Sequence, residues 1–176
     1  MKQEMKLTKE TIMQLFSEIN EKLKENNSKG ELFLFGGAVM CLCYESRMST
    51  KDIDAIFRPK DIFYEIIEEI SEEYGLDSGW LNDGVKGFVS SNGEMEEYEI
   101  FSNLVIYKTK IDYLLAMKCM SCRLEEDSKD LDDIQFLISK MQLHNPKEVE
   151  DIILKYFSPN LILPKVSFML GTMDYS

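Results

Sequence analysis

Apolar residues recur along this chain with two different periods, and the periods sort it into elements. Ile12, Leu15, Phe16, Ile19 and Leu23 fall three and four apart, which predicts an amphipathic helix over 8–25 that ends at "NNSKG". The short apolar run "ELFLF" (31–35) predicts a strand, Gly36-Gly37 a turn, and "AVMCLCY" the start of a helix. "KDIDAIF" (51–57) predicts the next strand by its Ile and Phe content and by Pro59 beyond it. Asp61 is expected to cap a helix carrying Ile62, Ile66, Ile67, Ile70 and Tyr74, stopped by Gly75. Residues 76–97, rich in Gly, Ser and Asn, show no clear period and contain the sole tryptophan, Trp80. "YEIFSNLVIYKTK" (98–110) predicts one or two strands. Three helical segments follow, "IDYLLAMKCMSCRL", "DLDDIQFLISKM" and "NPKEVEDIILKYF", the last opened by the capping residues Asn145, Pro146 and Glu148. The pattern predicts an α/β (α+β) fold: a small core over about 30–110 and a helical region over about 111–158, packed as one domain across 1–176.

Composition narrows the partners more than the fold. Of 176 residues, 44% are hydrophobic and 30% charged, which suits a soluble globular chain. The net charge of −12 opposes extensive binding to duplex nucleic acid, because such binding needs Lys and Arg to neutralise phosphates. A local contact to one nucleotide or one RNA end is still compatible with it. "MKQEMKLTKETIMQLF" scatters charges where a signal peptide needs an apolar stretch, and no apolar run reaches the ~20 residues of a membrane helix. The cysteines, Cys41, Cys43, Cys119 and Cys122, sit among apolar residues, as free thiols buried in a cytoplasmic protein would. Cys119-Met-Ser-Cys122 has the spacing of a zinc or redox pair, but the other pair is C-x-C and the only histidine, His144, is distant. Structural burial is the expected role.

The chemistry concentrates in "FLFGGAVMCLCYESRMSTKDIDAIF" (33–57). Paired glycines between a strand and a helix permit backbone conformations and close approaches that a Cβ would obstruct. The N–H groups at the helix start then favour an anion such as phosphate, although such a pair also serves turns alone. Asp52 and Asp54, two apart in a strand, point to one side. Adjacent carboxylates repel unless a cation neutralises them or one is protonated, and hard oxygens suit Mg²⁺ or Mn²⁺. Two surface aspartates at a solvated strand end are the plainer alternative. A phosphate cradle beside a divalent-cation site is what binding and splitting a nucleoside triphosphate requires.

The pattern strand-Gly36-Gly37-helix followed by Arg47-x-x-Thr50-x-Asp52-Ile53-Asp54 resembles the DNA polymerase beta-like nucleotidyltransferase superfamily. The closer form, Arg47 to Asp54, looks like the minimal nucleotidyltransferases that act as toxins in toxin–antitoxin and abortive-infection systems. "WLNDGVKGF", "NLVIYKTKIDYLLAMK" and "KDLDDIQFLI" extend the likeness, over most of residues 30–160, to an AbiEii-like branch of mostly uncharacterised bacterial proteins. The resemblance implies a short mixed sheet flanked by helices, with a helical C-terminal part. It also implies that Gly36, Gly37, Arg47 and Thr50 hold nucleotide and that Asp52 and Asp54 hold metal. A third carboxylate is expected on a neighbouring strand, with Glu99 as first candidate, Glu97 on its strand face and Asp83 as competitor.

Lys118 follows Leu114 by four residues and Ile111 by seven, so it shares the apolar face of its helix. There it either pairs with Asp130 or Asp133 of the next helix, or reaches the triphosphate while those aspartates hold it. Arg47 either binds phosphate or caps the turn before Asp52, Arg123 faces solvent or an ion-pair partner, and Trp80 is expected in the core rather than against a base. Two functions follow. The first is a metal-dependent nucleotidyltransferase that moves a nucleoside monophosphate from an NTP to a hydroxyl of tRNA, protein or a small molecule. In that reading it can be the toxin partner of an antitoxin. The second is a catalytically degenerate member acting as a nucleotide-binding or protein-interaction module.

Overall fold

The computed structural model describes residues 6–125 and 128–176 and has a mixed α/β fold; residues 1–5, part of the stretch read for a signal peptide, lie outside the description. Among the described residues there are seven α-helices and a five-stranded mixed sheet. The chain divides into two compact units, one formed by residues up to Gly87 with Met95–Thr109, the other by Phe88–Glu94 with Lys110–Ser176.

The first unit begins with β1 (Leu7–Thr8) and α1 (Lys9–Glu25), whose N-cap Thr8 accepts a hydrogen bond from the Thr11 backbone N–H at 3.3 Å. The helix buries Ile12, Leu15, Phe16, Ile19 and Leu23, the stripe its spacing predicts. β2 (Gly30–Leu34), α2 (Gly36–Tyr44), β3 (Ser49–Thr50), β4 (Ile53–Arg58) and α3 (Lys60–Tyr74) follow. β5 (Leu81–Asn82), β6 (Met95–Ile100) and β7 (Leu104–Thr109) complete the unit. The sheet order is β5-β4-β2-β7-β6, with β1 and β3 pairing separately. β2 runs antiparallel to β4 and parallel to β7, β4 runs parallel to β5, and β6 and β7 are antiparallel.

Alternation along the strands sets what each sheet face does. Leu32, Leu34, Ile53, Ala55, Phe57, Leu104 and Ile106 are fully buried on one face, and the Phe57 ring stacks on Phe63 of α3 at 5.1 Å between centroids. Each such large side chain withdrawn from water contributes about 1.5–3 kcal/mol. The other face carries half-buried Phe33, Asp54, Ile56 and Tyr107. There the Phe33 and Tyr107 rings stack at 4.8 Å, with the Arg58 guanidinium 5.6 Å from the Phe33 centroid.

One local expectation shifts. α3 begins one residue before Asp61, because Pro59 is its N-cap and its carbonyl accepts the Phe63 N–H at 3.2 Å. Asp61 instead lies in the first turn, where its charge complements the helix dipole. Gly75 ends the helix in the left-handed region, as expected. Trp80 is 2% exposed and its indole N–H donates to the Ile67 carbonyl at 3.3 Å, so it is a core residue. Its carbonyl accepts the Ile53 N–H at 2.7 Å, which ties the approach to β5 onto β4.

The second unit holds α4 (Ile111–Ser121), α5 (Asp130–Lys140), α6 (Pro146–Tyr156) and α7 (Pro164–Leu170). α4 is buried on several sides through Tyr113, Leu114, Leu115, Ala116, Lys118 and Cys119. α6 starts as its sequence predicts: the Asn145 side chain accepts from the Glu148 N–H at 3.1 Å, and the Glu148 carboxylate accepts from the His144 N–H at 2.8 Å. All four cysteines are free, and burial pushes the Cys119 and Cys122 thiols up, which suits inert packing groups. Among the described residues no helix is long and apolar enough to cross a membrane.

Candidate active site

The end of β2 is locked to β4 at the residue of interest. Phe35 is extended, and its N–H donates to the Asp54 carbonyl at 2.9 Å. The chain then turns at Gly36 with φ +61 and enters α2. A Cβ built on Gly36 would lie 3.2 Å from Asp54 Oδ2, so the first residue of the helix is packed against the carboxylate. The left-handed backbone favours glycine there, and a Cβ would in addition crowd the carboxylate.

Gly37 has its own neighbours. A Cβ there would meet Arg47 Nη1 at 2.9 Å and Thr50 Oγ1 at 3.0 Å. Thr50, buried at the end of β3, donates its hydroxyl to the Asp52 carbonyl at 3.1 Å and so shapes the entry into β4. The first turn of α2 carries no acidic residue, and Phe35 supplies no side-chain cap. Glycine backbone, helix N-terminus and guanidinium together favour an anion at this end of α2. Asp52 is exposed and directly precedes β4, which starts at Ile53 rather than at Lys51. The fold thus brings Gly36, Gly37, Arg47, Thr50, Asp52 and Asp54 into one neighbourhood.

The fold does not bring Glu99 there. Glu99 pairs with Ile106, Ile106 with Leu32, and Leu32 with Phe57, so three strand spacings separate Glu99 from β4. At ~4.8 Å per spacing that is about 14 Å. The ladder also puts Glu99 on the face of Phe57, opposite to that of Asp54, because the register shifts between Glu97 and Glu99. Glu97 pairs with Tyr107 on Asp54's face, but from the same outer strand. Asp83 accepts from the Tyr64 hydroxyl at 2.8 Å and pairs with Lys86 at 3.2 Å. The Tyr64 hydrogen bond, then Lys86, hold its carboxyl below the usual range. Among the described residues no three His, Cys, Asp or Glu side chains are grouped so as to hold a metal ion. The residue in register with Asp54 on β5 is Asn82. Two residues of strand show no alternation, so no pattern in the sequence marks it.

Lys118 belongs to the second unit, where its side chain is 9% exposed. Its ammonium lies 2.7 Å from Asp133 Oδ2 and 3.3 Å from Asp130 Oδ1, so the expected ion pair between α4 and α5 is present with both aspartates. Asp130 Oδ2 also accepts from the Arg123 backbone N–H at 3.1 Å and from its Nε at 3.4 Å. Burial works to raise the Asp130 carboxyl, but the Arg123 N–H and the Lys118 charge outweigh it and hold it below its ordinary value.

Gly37→Val tests the cradle. The β-branched side chain must displace the Arg47 guanidinium and crowd the Thr50 hydroxyl. The expected result is about tenfold weaker nucleotide binding by titration, with a melting shift of a few degrees. An equal loss of melting temperature with and without nucleotide, at unchanged affinity, would assign Gly37 to the turn alone.

No curated protein and no solved structure is significantly similar to the chain. Residues 10–174 match the family described as "Nucleotidyltransferase of unknown function (DUF6036)", and the chain belongs to that nucleotidyltransferase family.

Proposed function

We propose that the protein is a metal-dependent nucleotidyltransferase that takes an NTP and transfers its nucleoside monophosphate to a hydroxyl. The observation that carries this reading is the start of α2: Gly36 packed against the Asp54 carboxylate, with Arg47 and Thr50 over Gly37. Gly36, Gly37, Arg47 and Thr50 would hold the triphosphate, and Asp52 and Asp54 the divalent ion. Two carboxylates are a sufficient protein share for Mg²⁺, which is commonly held by one or two together with substrate phosphates. Bound there, Mg²⁺ or Mn²⁺ would neutralise charge on the phosphates and the departing pyrophosphate. The acceptor oxygen forms a bond to the α-phosphorus, the bond from that phosphorus to the bridging oxygen breaks, and pyrophosphate leaves with the electron pair. The acceptor proton passes to water.

The likeness to minimal toxins makes a tRNA 3′ hydroxyl the first acceptor to test and a protein hydroxyl the second. It also makes a toxin role, held in check by an antitoxin in the cytoplasm, the biological setting to examine. The rival is a degenerate member that binds nucleotide or a protein without transfer. The observation favouring it is that Glu99, the expected third carboxylate, lies three strands from Asp54 on the other face. Incubation with each labelled NTP, Mg²⁺ or Mn²⁺, and total tRNA or cell extract separates the two. Label on one RNA or protein species supports the enzyme, and nucleotide binding with no labelled species supports the module.

A further inference from the structure

The side chain set directly beside Asp54 is an amide. β4 and β5 run parallel with Ile53 opposite Leu81 and Asp54 opposite Asn82. Residues paired in this way share a sheet face on strands about 4.8 Å apart. Burial agrees: Ile53 and Leu81 are buried together, while Asp54 and Asn82 are both half-buried. The Asn82 head is pinned from two directions, since Nδ2 donates to the Gly79 carbonyl at 3.2 Å and the Gly84 N–H donates to Oδ1 at 3.1 Å. Its orientation is therefore set by the turn, with Oδ1 as its acceptor atom. A carbonyl oxygen has two lone pairs, so Oδ1 keeps capacity for a second partner.

We propose that Asn82 Oδ1 is the neutral oxygen beside Asp54 in the metal position, and that having an amide there makes metal binding depend on nucleotide. The inference rests on the reading that Asp52 and Asp54 hold a divalent ion. Affinity for a hard cation rises with the number of charged ligands. Two carboxylates and one amide hold a bare cation weakly, and the triphosphate supplies the missing negative oxygens. A carboxylate at position 82 would bind the bare ion better but would repel Asp54 in the empty site. The metal therefore arrives with the nucleotide rather than ahead of it. Asp83, the next residue, is engaged by Tyr64 and Lys86 instead.

Asn82→Asp keeps an oxygen acceptor for the Gly84 N–H, gives up the Nδ2 donor to the Gly79 carbonyl and adds one charge, so a melt of the variant accompanies the binding measurements. Mn²⁺ binding without nucleotide is read from the resonance of free Mn²⁺ for wild type, Asn82→Asp and Asp54→Asn. Binding of a non-hydrolysable ATP or GTP analogue is titrated with and without Mn²⁺. Asn82→Asp is expected to bind Mn²⁺ alone about tenfold more tightly than wild type, and wild type to need Mn²⁺ for its nucleotide. A purely structural Asn82 would not raise metal affinity when made acidic. Unchanged Mn²⁺ affinity in a folded Asn82→Asp, with wild-type nucleotide binding still Mn²⁺-dependent, overturns the role of Asn82 and leaves the nucleotidyltransferase reading standing. Wild type binding Mn²⁺ alone as tightly as with nucleotide overturns it too, whether or not the variant folds. Nucleotide binding indifferent to both Mn²⁺ and Asp54→Asn overturns both.

Discussion

Asp54→Asn is expected to leave less than about one hundredth of the transfer activity, measured with labelled nucleotide, while the protein still folds. The substitution is nearly isosteric and exchanges one charged oxygen for a neutral group. Asp54 lies half-buried on the sheet face opposite the one that buries Ile53, Ala55 and Phe57, so no core packing is lost. The hydrogen bond that fixes the end of β2 here uses the Asp54 backbone carbonyl and survives the change. Melting of the variant, measured alongside, separates a loss of activity from a loss of fold. Asp52, exposed and just outside β4, is expected to matter in the same direction. The decisive comparison is nucleotide titration with Mg²⁺ for the double asparagine variant. Wild-type affinity in that variant would sink the metal-site reading.

The largest loss of stability is expected from Lys118→Met. Methionine keeps the aliphatic stem but leaves Asp130 and Asp133, 8% and 3% exposed, without their shared cation. Removing one partner of a buried ion pair costs about 3–5 kcal/mol, which for a chain of this size lowers the melting temperature by roughly 10 °C. Arg123, itself 71% exposed, reaches Asp130 alone and cannot replace the lysine at Asp133. Adding Asp133→Asn to Lys118→Met should restore part of the loss, since it removes one of the two carboxylates that the lysine neutralises. Denaturant melts of the single and double variants measure this coupling. The acid limb follows from Asp130, whose folded value lies below its unfolded one. Its contribution is complete above the unfolded value of about 3.9 and fades as pH falls through the lower folded value. Lys118→Met, without one cause of that lowering, should lose less stability than wild type on acidification below about pH 4. Nucleotide titration of the folded double variant then decides whether Lys118 also serves the triphosphate. Normal affinity confines it to the link between α4 and α5.

Where neighbours along the chain carry the information, pattern was enough. The stripe of α1 and the capping residues of α6 stand where their spacing puts them, β2 and β4 lie within one or two residues of it, and α2 takes in Gly36 and Gly37, which the sequence marks as its entry turn. Lys118 on an apolar helix face implied a buried partner, and the following helix supplied two in Asp130 and Asp133. Short pieces escaped: β1, β3 and β5 have two residues each, too few for an alternation, and α7 has seven. The neighbour of Asp54 escaped for a different reason. Alternation says which residues of one strand share a face, but not which strand lies next to it. Position along the chain made Glu99 as fair a candidate as any residue of β5. The order β5-β4-β2-β7-β6 and the register shift after Glu97 send Glu99 to a distant edge and the opposite face, and set Asn82 beside Asp54. Strand order depends on how separate hydrophobic faces pack together, and such packing joins residues that no local period connects.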